Sequence, residues 1–210
     1  AQEDCCDIAV FPELALCGYP PMDLVEKREF REMNNKLSLE IASETGTTAI
    51  IFGAITDNTD SVGPDVHNSA IMAFDGKIQF IQDKSLLPNY DVFDENRYFD
   101  PAADTLLFEF KGKKLGISIC EDIWNDADYW NRRRYVYDPV KKQIELGAEI
   151  IINISASPYS YGKRTQRKDM LSKISSKAGI PLIYTCTSGV QTDLIFDGGS
   201  MCFDGKGNLC

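Results

Sequence analysis

One cysteine follows an apolar run that ends abruptly in acidic residues. Residues 116–124 read Gly-Ile-Ser-Ile-Cys-Glu-Asp-Ile-Trp, so Cys120 comes at the end of a predicted buried strand. A thiol in this position can act as a nucleophile if a nearby group takes its proton, and otherwise it is an ordinary core thiol. The chain of 210 residues contains one histidine, so carboxylates and lysines are the remaining candidates for that group.

Two residues after other predicted strands could activate Cys120. Glu13 follows the first apolar run in mostly apolar company, which would make its carboxylate a stronger base. Lys84 follows the run at 78–83, and its ammonium could stabilise a thiolate and then the negative oxygen of a tetrahedral intermediate. Taken singly, each residue also fits a solvated turn or helix cap.

The elements that must position these residues are short apolar runs separated by helical segments, a pattern typical of a mixed α/β domain. Asp-Gly turns at 74–77 and 203–207 predict hairpins, so the sheets should be mixed. Helices are predicted at 29–45, 138–147 and 163–178. Strands are predicted at 8–11, 49–54, 68–74, 78–83, 106–110, 114–120, 150–154, 182–187 and 199–203. No repeat or linker divides the chain, which predicts one domain.

Composition excludes several classes of protein. The chain has 22 basic and 32 acidic residues and a net charge of -10, which argues against nucleic acid or a membrane surface as a partner. No apolar run is long enough to cross a bilayer, and no leader segment is recognisable. The seven cysteines form no CxxC pair or Cys/His cluster, which predicts reduced thiols, a cytoplasmic protein and no metal site.

Three short motifs occur in order, each after an apolar run: Phe-Pro-Glu at 11–13, Asp-Lys-Ser-Leu-Leu-Pro at 83–88 and Ile-Cys-Glu-Asp-Ile-Trp at 119–124. This combination resembles the nitrilase, or carbon-nitrogen hydrolase, superfamily, whose members cleave amide or nitrile bonds. Longer stretches, at 12–21, 87–95, 120–124 and 153–158, are similar to the glutaminase domains of glutamine-dependent NAD synthetases. The resemblance covers residue 8 to the end and implies a four-layer α-β-β-α sandwich.

The resemblance also implies a mechanism. Glu13 would take the proton from Cys120, and the thiolate would attack the side-chain amide of L-glutamine. Lys84 would stabilise the oxyanion together with the backbone N–H that follows the nucleophile. Glu95 matches a second glutamate that supports the lysine in this superfamily, although a loop carboxylate is an equally simple interpretation.

Further residues match positions that hold glutamine in related enzymes. Glu121 would bind the α-ammonium group, and Ser157 would donate a hydrogen bond to the substrate. Lys163 would meet the α-carboxylate, where some relatives have arginine; alternatively it is a solvated residue that opens a helix with Arg164, Arg167 and Lys168. The walls of the pocket would be aromatic: Tyr19, Tyr90 and Phe93.

The resemblance further implies partners for residues 1–210. Superfamily members begin with a strand and a long helix before Phe-Pro-Glu, and NAD synthetases add an ATP-dependent domain that uses ATP and Mg²⁺ and receives the ammonia. This domain would then need no cofactor of its own, would supply half of a reaction that converts deamido-NAD to NAD, and would form a homo-oligomer. Two alternatives stay open: a free-standing amidase or carbamoyl hydrolase, and a catalytically idle nitrilase-like module.

Overall fold

The computed structural model describes residue 1 and residues 3–210, and it divides into two compact units, Ala1–Ala103 and Asp104–Cys210. Each unit contains a mixed β-sheet with at least one helix packed on it. None of the described helices has both the length and the apolar character needed to cross a membrane.

The first unit is built on a four-stranded sheet in the order β1-β2-β3-β4. Strand β1 is parallel to β2, and the other neighbours are antiparallel. One long helix, α1, packs against β2, and 3₁₀ helices lie at Met22–Glu26 and Glu95–Arg97. The bounds are β1 Ile8–Val10, α1 Arg28–Ser43, β2 Ala49–Asp57, β3 Val66–Phe74 and β4 Lys77–Asp83.

Helix α1 contacts the sheet through small and polar side chains. Its buried residues are Asn34, Ser38 and Ala42, one turn apart along a single face. The Asn34 amide donates a hydrogen bond of 2.6 Å to the carbonyl of Ile55 in β2. This buried asparagine therefore fixes the helix to the strand.

The second unit has a five-stranded sheet in the order β11-β8-β7-β6-β5, together with the separate hairpin β9–β10. The three central strands are parallel, and both edge strands are antiparallel to their neighbours. A 3₁₀ helix, Cys120–Ile123, follows β6 directly. The bounds are β5 Phe108–Phe110, β6 Lys113–Ile119, α2 Pro139–Glu145, β7 Ile150–Ser155, α3 Lys163–Ala178, β8 Leu182–Cys186, β9 Ser188–Gln191, β10 Leu194–Asp197 and β11 Met201–Phe203.

The helices of the second unit begin where their sequences predict. Asp138 caps α2 by accepting a hydrogen bond of 3.0 Å from the backbone N–H of Lys141, and Pro139 fills the first helical position. In α3 the side chains of Met170, Leu171 and Ile174 are buried in the hydrophobic core of the unit. The core lies against the parallel strands, whose carboxyl ends meet at one edge of the sheet.

The strand and helix predictions are largely confirmed. Every predicted strand overlaps an observed one, the three predicted helices are present, and Phe74 pairs with Lys77 across the predicted hairpin. The strand predicted at 114–120 ends at Ile119 because Cys120 has a left-handed backbone, with φ of 43°. The hairpin β9–β10 was not predicted, since Val190 and Ile195 lie exposed opposite each other and give no core-facing pattern.

Gly53, in the middle of β2, lets the chain that follows β1 pass very close to the strand. A Cβ at this position would lie 2.1 Å from the backbone nitrogen of Leu14 and 2.7 Å from the Cα of Glu13. The Gly53 N–H donates to the carbonyl of Pro12 at 3.0 Å. Glu13 is therefore held on β2 by a contact that only glycine allows.

Replacing Gly53 with alanine should destabilise the protein strongly. The added methyl group meets backbone, which cannot rotate away, so we expect a loss of roughly 3 kcal/mol or more in the free energy of unfolding. Gly116→Ala is a matched control, because a Cβ there meets the ends of the Ile151 and Gln143 side chains, at 2.8 and 2.9 Å. Urea unfolding of both variants measures the difference, and equal losses would contradict the backbone contact.

Candidate active site

The first unit contains a lysine whose ammonium group is buried between two carboxylates. Lys84 follows β4, and its side chain has no exposed surface. Its Nζ donates to Glu13 Oε1 at 2.7 Å and to Glu95 Oε1 and Oε2 at 2.7 and 2.8 Å. Three of the predicted catalytic residues, 13, 84 and 95, therefore form one connected cluster.

Two further side chains hold the carboxylates of this cluster. Asn68 in β3 donates from Nδ2 to Glu13 Oε1 at 2.8 Å, and Tyr19 donates from its hydroxyl to Glu95 Oε1 at 2.8 Å. Each carboxylate thus accepts hydrogen bonds from the shared lysine and from a separate neutral donor. The sequence predicts Tyr19 only as a wall of the substrate pocket, and its bond to Glu95 adds a second role.

Charge in this cluster is unevenly balanced, with two carboxyl groups facing one ammonium away from solvent. Burial, the largest effect, raises the pKa of Glu95 to about 7; the Lys84 charge opposes that shift, and the Glu13 charge adds to it. Hydrogen bonds from Lys84 and Tyr19 favour the ionised form of Glu95. Near neutral pH a sizeable fraction of Glu95 is protonated, which brings the cluster closer to neutrality.

The three aromatic residues predicted to wall a pocket lie together. Phe93 packs edge-on against Tyr19, with ring centroids 6.4 Å apart, and against Tyr90, with centroids 5.6 Å apart. Because Tyr19 is bonded to Glu95, this aromatic cluster adjoins the buried charges. A substrate that reaches Lys84 from this side would contact apolar ring surfaces.

In the second unit, Cys120 sits on a sharp turn between a strand and a 3₁₀ helix. Its φ of 43° lies in the left-handed region, a conformation that costs on the order of 1–3 kcal/mol for a residue other than glycine. Asp122 secures the turn by accepting a hydrogen bond of 3.0 Å from the backbone N–H of Ile119. Such strain at the end of a central strand is a feature of functional sites.

Three of the other cysteines are poorly suited to nucleophilic chemistry. All seven are free thiols. Burial raises the pKa of Cys17 to about 12 and also raises the pKa of Cys186 and Cys202, so these three remain protonated near neutral pH. Cys186 also lies at the carboxyl end of a parallel strand, β8, and Cys120 differs from it by the left-handed backbone of the turn that follows β6.

The remaining predicted residues lie around the same end of the second sheet. Ile119 pairs with Ile154, so Cys120 and Glu121 emerge beside the segment that leads to Ser157, and both Glu121 and Ser157 are buried. The Lys163 ammonium lies over the ring of Trp124, 5.4 Å from its centroid. This cation–π contact holds Lys163 next to the residue that follows the 3₁₀ helix Cys120–Ile123.

The burial of Arg167 does not fit the alternative interpretation, in which the start of α3 is a solvated basic segment. It has no exposed surface, and its Nη1 donates to the carbonyl of Gly198 at 3.2 Å. Its guanidinium also lies over the ring of Tyr184, 5.5 Å from the centroid. The first turns of α3 are therefore partly an interior element, which weakens the view of Lys163 as a merely solvated residue.

Sequence reasoning missed Gly53, Asn68, Asp122 and Trp124. Asn68 gave the clearest signal, since it is a polar residue within an apolar strand and therefore needs a buried partner. Among residues 1 and 3–210, no three His, Cys, Asp or Glu side chains are grouped so that they could hold a metal ion.

The geometry can be set beside known proteins. The profile of the Carbon-nitrogen hydrolase family matches residues 1–210. The chain belongs to the carbon-nitrogen hydrolase family. This confirms the family predicted from the three motifs and, with the mixed sheets and helices of both units, its α/β fold class.

Several members of this family are similar to the whole chain. The glutamine-dependent NAD(+) synthetase of Synechocystis sp. is 39% identical over 213 residues, which cover 100% of this chain and 38% of the relative. A solved glutamine-dependent NAD+ synthetase from Acinetobacter baumannii has a TM-score of 0.87 and 32% identity, covering 99% of this chain and 37% of that one. An amidase from Nesterenkonia sp. shares the fold, with a TM-score of 0.80 and 21% identity, covering 100% of this chain and 73% of that one. The chain thus spans just over a third of the length of these synthetases.

Replacing Glu95 with glutamine should remove a pH dependence of stability. The pKa of Glu95 is about 7 in the folded protein against 4.5 for an ordinary glutamate, so the folded state binds more protons between these values. The contribution of Glu95 to the free energy of unfolding is therefore fully present below about pH 4.5 and is lost as the pH rises through about 7. The total loss is a few kcal/mol. Urea unfolding at pH 5 and pH 8 should show a smaller difference for Glu95→Gln than for the wild type.

A surface glutamate provides the control for this measurement. Glu149 is paired with Lys113, and hydrogen bonds from Lys113 and the Lys114 backbone lower its pKa. It is ionised in both the folded and the unfolded state between pH 5 and pH 8, so Glu149→Gln should keep the wild-type pH dependence. If Glu95→Gln behaved like Glu149→Gln, the raised pKa of Glu95 would be wrong.

Proposed function

We propose that this chain hydrolyses the side-chain amide of L-glutamine, and that Cys120 joins Glu13 and Lys84 in one active site. The observation that carries the proposal is the buried Lys84 ammonium, held at 2.7 Å by both Glu13 and Glu95, in a member of the carbon-nitrogen hydrolase family. The similarity to glutamine-dependent NAD synthetases favours glutamine among the amides that such a site could cleave.

The first half of the proposed reaction forms a thioester. Glu13 takes the proton from the Cys120 thiol, and the sulfur attacks the amide carbon of glutamine. The negative oxygen of the tetrahedral intermediate is stabilised by Lys84 and by the backbone N–H of Glu121. Glu13 then returns the proton to the nitrogen, the carbon–nitrogen bond breaks, and ammonia leaves.

In the second half a water molecule replaces the ammonia. Glu13 removes a proton from this water, which attacks the thioester carbon and passes through a second oxyanion at Lys84. Collapse of that intermediate breaks the carbon–sulfur bond, the Cys120 sulfur recovers its proton, and glutamate is released. No cofactor is required for either half.

Recognition of glutamine requires groups for its two backbone charges. We assign the α-ammonium group to Glu121 and the α-carboxylate to Lys163, whose ammonium is held over Trp124. Ser157 would donate a hydrogen bond to the substrate. The apolar stem of glutamine would lie against the aromatic cluster of Tyr19, Tyr90 and Phe93.

We propose a destination for the ammonia on the basis of similarity to the synthetases. In our proposal the parent protein also carries an ATP-dependent synthetase domain, which uses ATP and Mg²⁺ to convert deamido-NAD to NAD with this ammonia. The similarity to synthetases more than twice as long as this chain supports it. We further propose that the parent protein is a cytoplasmic homo-oligomer. Its chain would also contain the strand and helix that superfamily members place before Phe-Pro-Glu.

Substrate preference and labelling of the parent protein test this proposal. Glutamine should be hydrolysed in preference to simple aliphatic amides and N-carbamoyl amines, and a glutamine-like diazoketone should add one adduct, seen by intact-mass measurement. Cys120→Ala should abolish both activity and adduct, while Cys186→Ala, which removes a buried thiol of raised pKa, should keep the adduct. Preference for aliphatic amides would favour a free-standing amidase, and labelling that survives Cys120→Ala would remove Cys120 from the mechanism.

Lys163→Met should weaken glutamine binding more than it slows chemistry. Removing a charged partner of the α-carboxylate should raise KM for glutamine roughly 10- to 100-fold and change kcat by much less. Lys168→Met, an exposed lysine of the same helix, is the matched control and should leave both constants near the wild type. Steady-state kinetics measure the two parameters, and an unchanged KM in Lys163→Met would refute the assignment.

A further inference from the structure

Asn68 is bound to two members of the charged cluster at once. Its side-chain Nδ2 donates to Glu13 Oε1 at 2.8 Å, and its main-chain carbonyl accepts from the backbone N–H of Lys84 at 2.8 Å. The residue is fully buried in β3. We infer that Asn68 is a positioning residue that orients the Glu13 carboxylate by donating a hydrogen bond to it, an inference that rests on the proposed role of Glu13 as the base.

The direction of the Asn68 amide carries this inference. Glu13 Oε1 receives hydrogen bonds from both Lys84 Nζ and Asn68 Nδ2, which suits a carboxylate that accepts and does not donate. Rotating the amide by half a turn would place two acceptor oxygens against each other. The Oδ1 atom of Asn68 makes no hydrogen bond within the described residues, so the bond that orients this amide is the one to Glu13.

Glu13 and Glu95 share the Lys84 ammonium. Glu95 accepts from it at 2.7 and 2.8 Å, and Glu13 accepts from it at 2.7 Å. Glu95 has its own neutral donor in Tyr19, and Asn68 is the corresponding donor for Glu13. Without Asn68 the Glu13 carboxylate would lose this donor and the orientation that it imposes, and loss of a donor disfavours the charged form of a buried carboxylate.

The test is the pH dependence of glutamine hydrolysis by the parent protein with Asn68→Leu or Asn68→Asp. We expect kcat near neutral pH to fall roughly 10- to 100-fold with KM for glutamine nearly unchanged, because the base acts in chemistry and not in substrate binding. The acidic limb of the profile should move to higher pH by about one unit, so that activity partly recovers in alkaline buffer. Asn68→Asp preserves the volume of the side chain but offers no donor when ionised, which covers the case in which Asn68→Leu does not fold.

Asn34→Leu is the matched control, since Asn34 is a buried asparagine of the same unit that is bonded to the backbone of Ile55. It should lower the thermal midpoint without moving the acidic limb. The inference would be overturned if the Asn68 variants lost activity equally at every pH, as expected of a purely structural residue. It would also be overturned if the acidic limb of their activity profile stayed at the wild-type pH.

A second readout separates this inference from the proposed function. Alkylation of Cys120 by iodoacetamide needs no substrate, and its rate follows the fraction of thiolate that the base maintains. The Asn68 variants should shift this profile to higher pH even if the wild type did not hydrolyse glutamine. In that case the proposed substrate would be wrong, while the role of Asn68 would stand. An alkylation profile identical to the wild type would count against Asn68.

Discussion

A lysine ammonium without solvent contact must be neutralised inside the protein, and the strands of the first unit bring two carboxylates to Lys84 for this purpose. Removing one partner of a buried ion pair typically costs about 3–5 kcal/mol, so this cluster constrains everything around it. Gly53 keeps the backbone of Glu13 close to β2, and Asn68 bonds to the carboxylate from β3. The cluster therefore defines which residues the surrounding strands can tolerate.

Both units place a candidate catalytic residue in the segment that follows a strand, at or beside a left-handed backbone. In the first unit Leu14, directly after Glu13, has φ of 46°; in the second, Cys120 itself has φ of 43°. Residues other than glycine rarely adopt this conformation, and the rest of the structure must offset its cost. Bonds such as that between Asp122 and the Ile119 backbone supply part of this support, which ties strain at the site to stability elsewhere.

Apolar runs made the strands and helices predictable, because burial of those runs is what forms the core. The types of the site residues were also predictable, since Glu13, Lys84 and Cys120 each follow such a run. Contacts between positions far apart in the chain were not. Nothing in the spacing of residues 13, 68, 84 and 95 indicates that Asn68 and Tyr19 each hold one of the two carboxylates. The burial of Arg167 was missed for a similar reason, since a basic residue in a basic segment gives no sign of its aromatic partner.

The scarcity of histidine has a physical counterpart in this arrangement. An imidazole changes its charge around pH 6.5, so it cannot serve near neutral pH as a cation of constant charge. A lysine between two carboxylates supplies a full positive charge, and the strands fix its position before any substrate arrives. Preorganised charge of this kind stabilises a developing oxyanion without rearrangement during the reaction. In the proposed mechanism the base is a carboxylate, and the lysine assigned to the oxyanion also donates a hydrogen bond to Glu13.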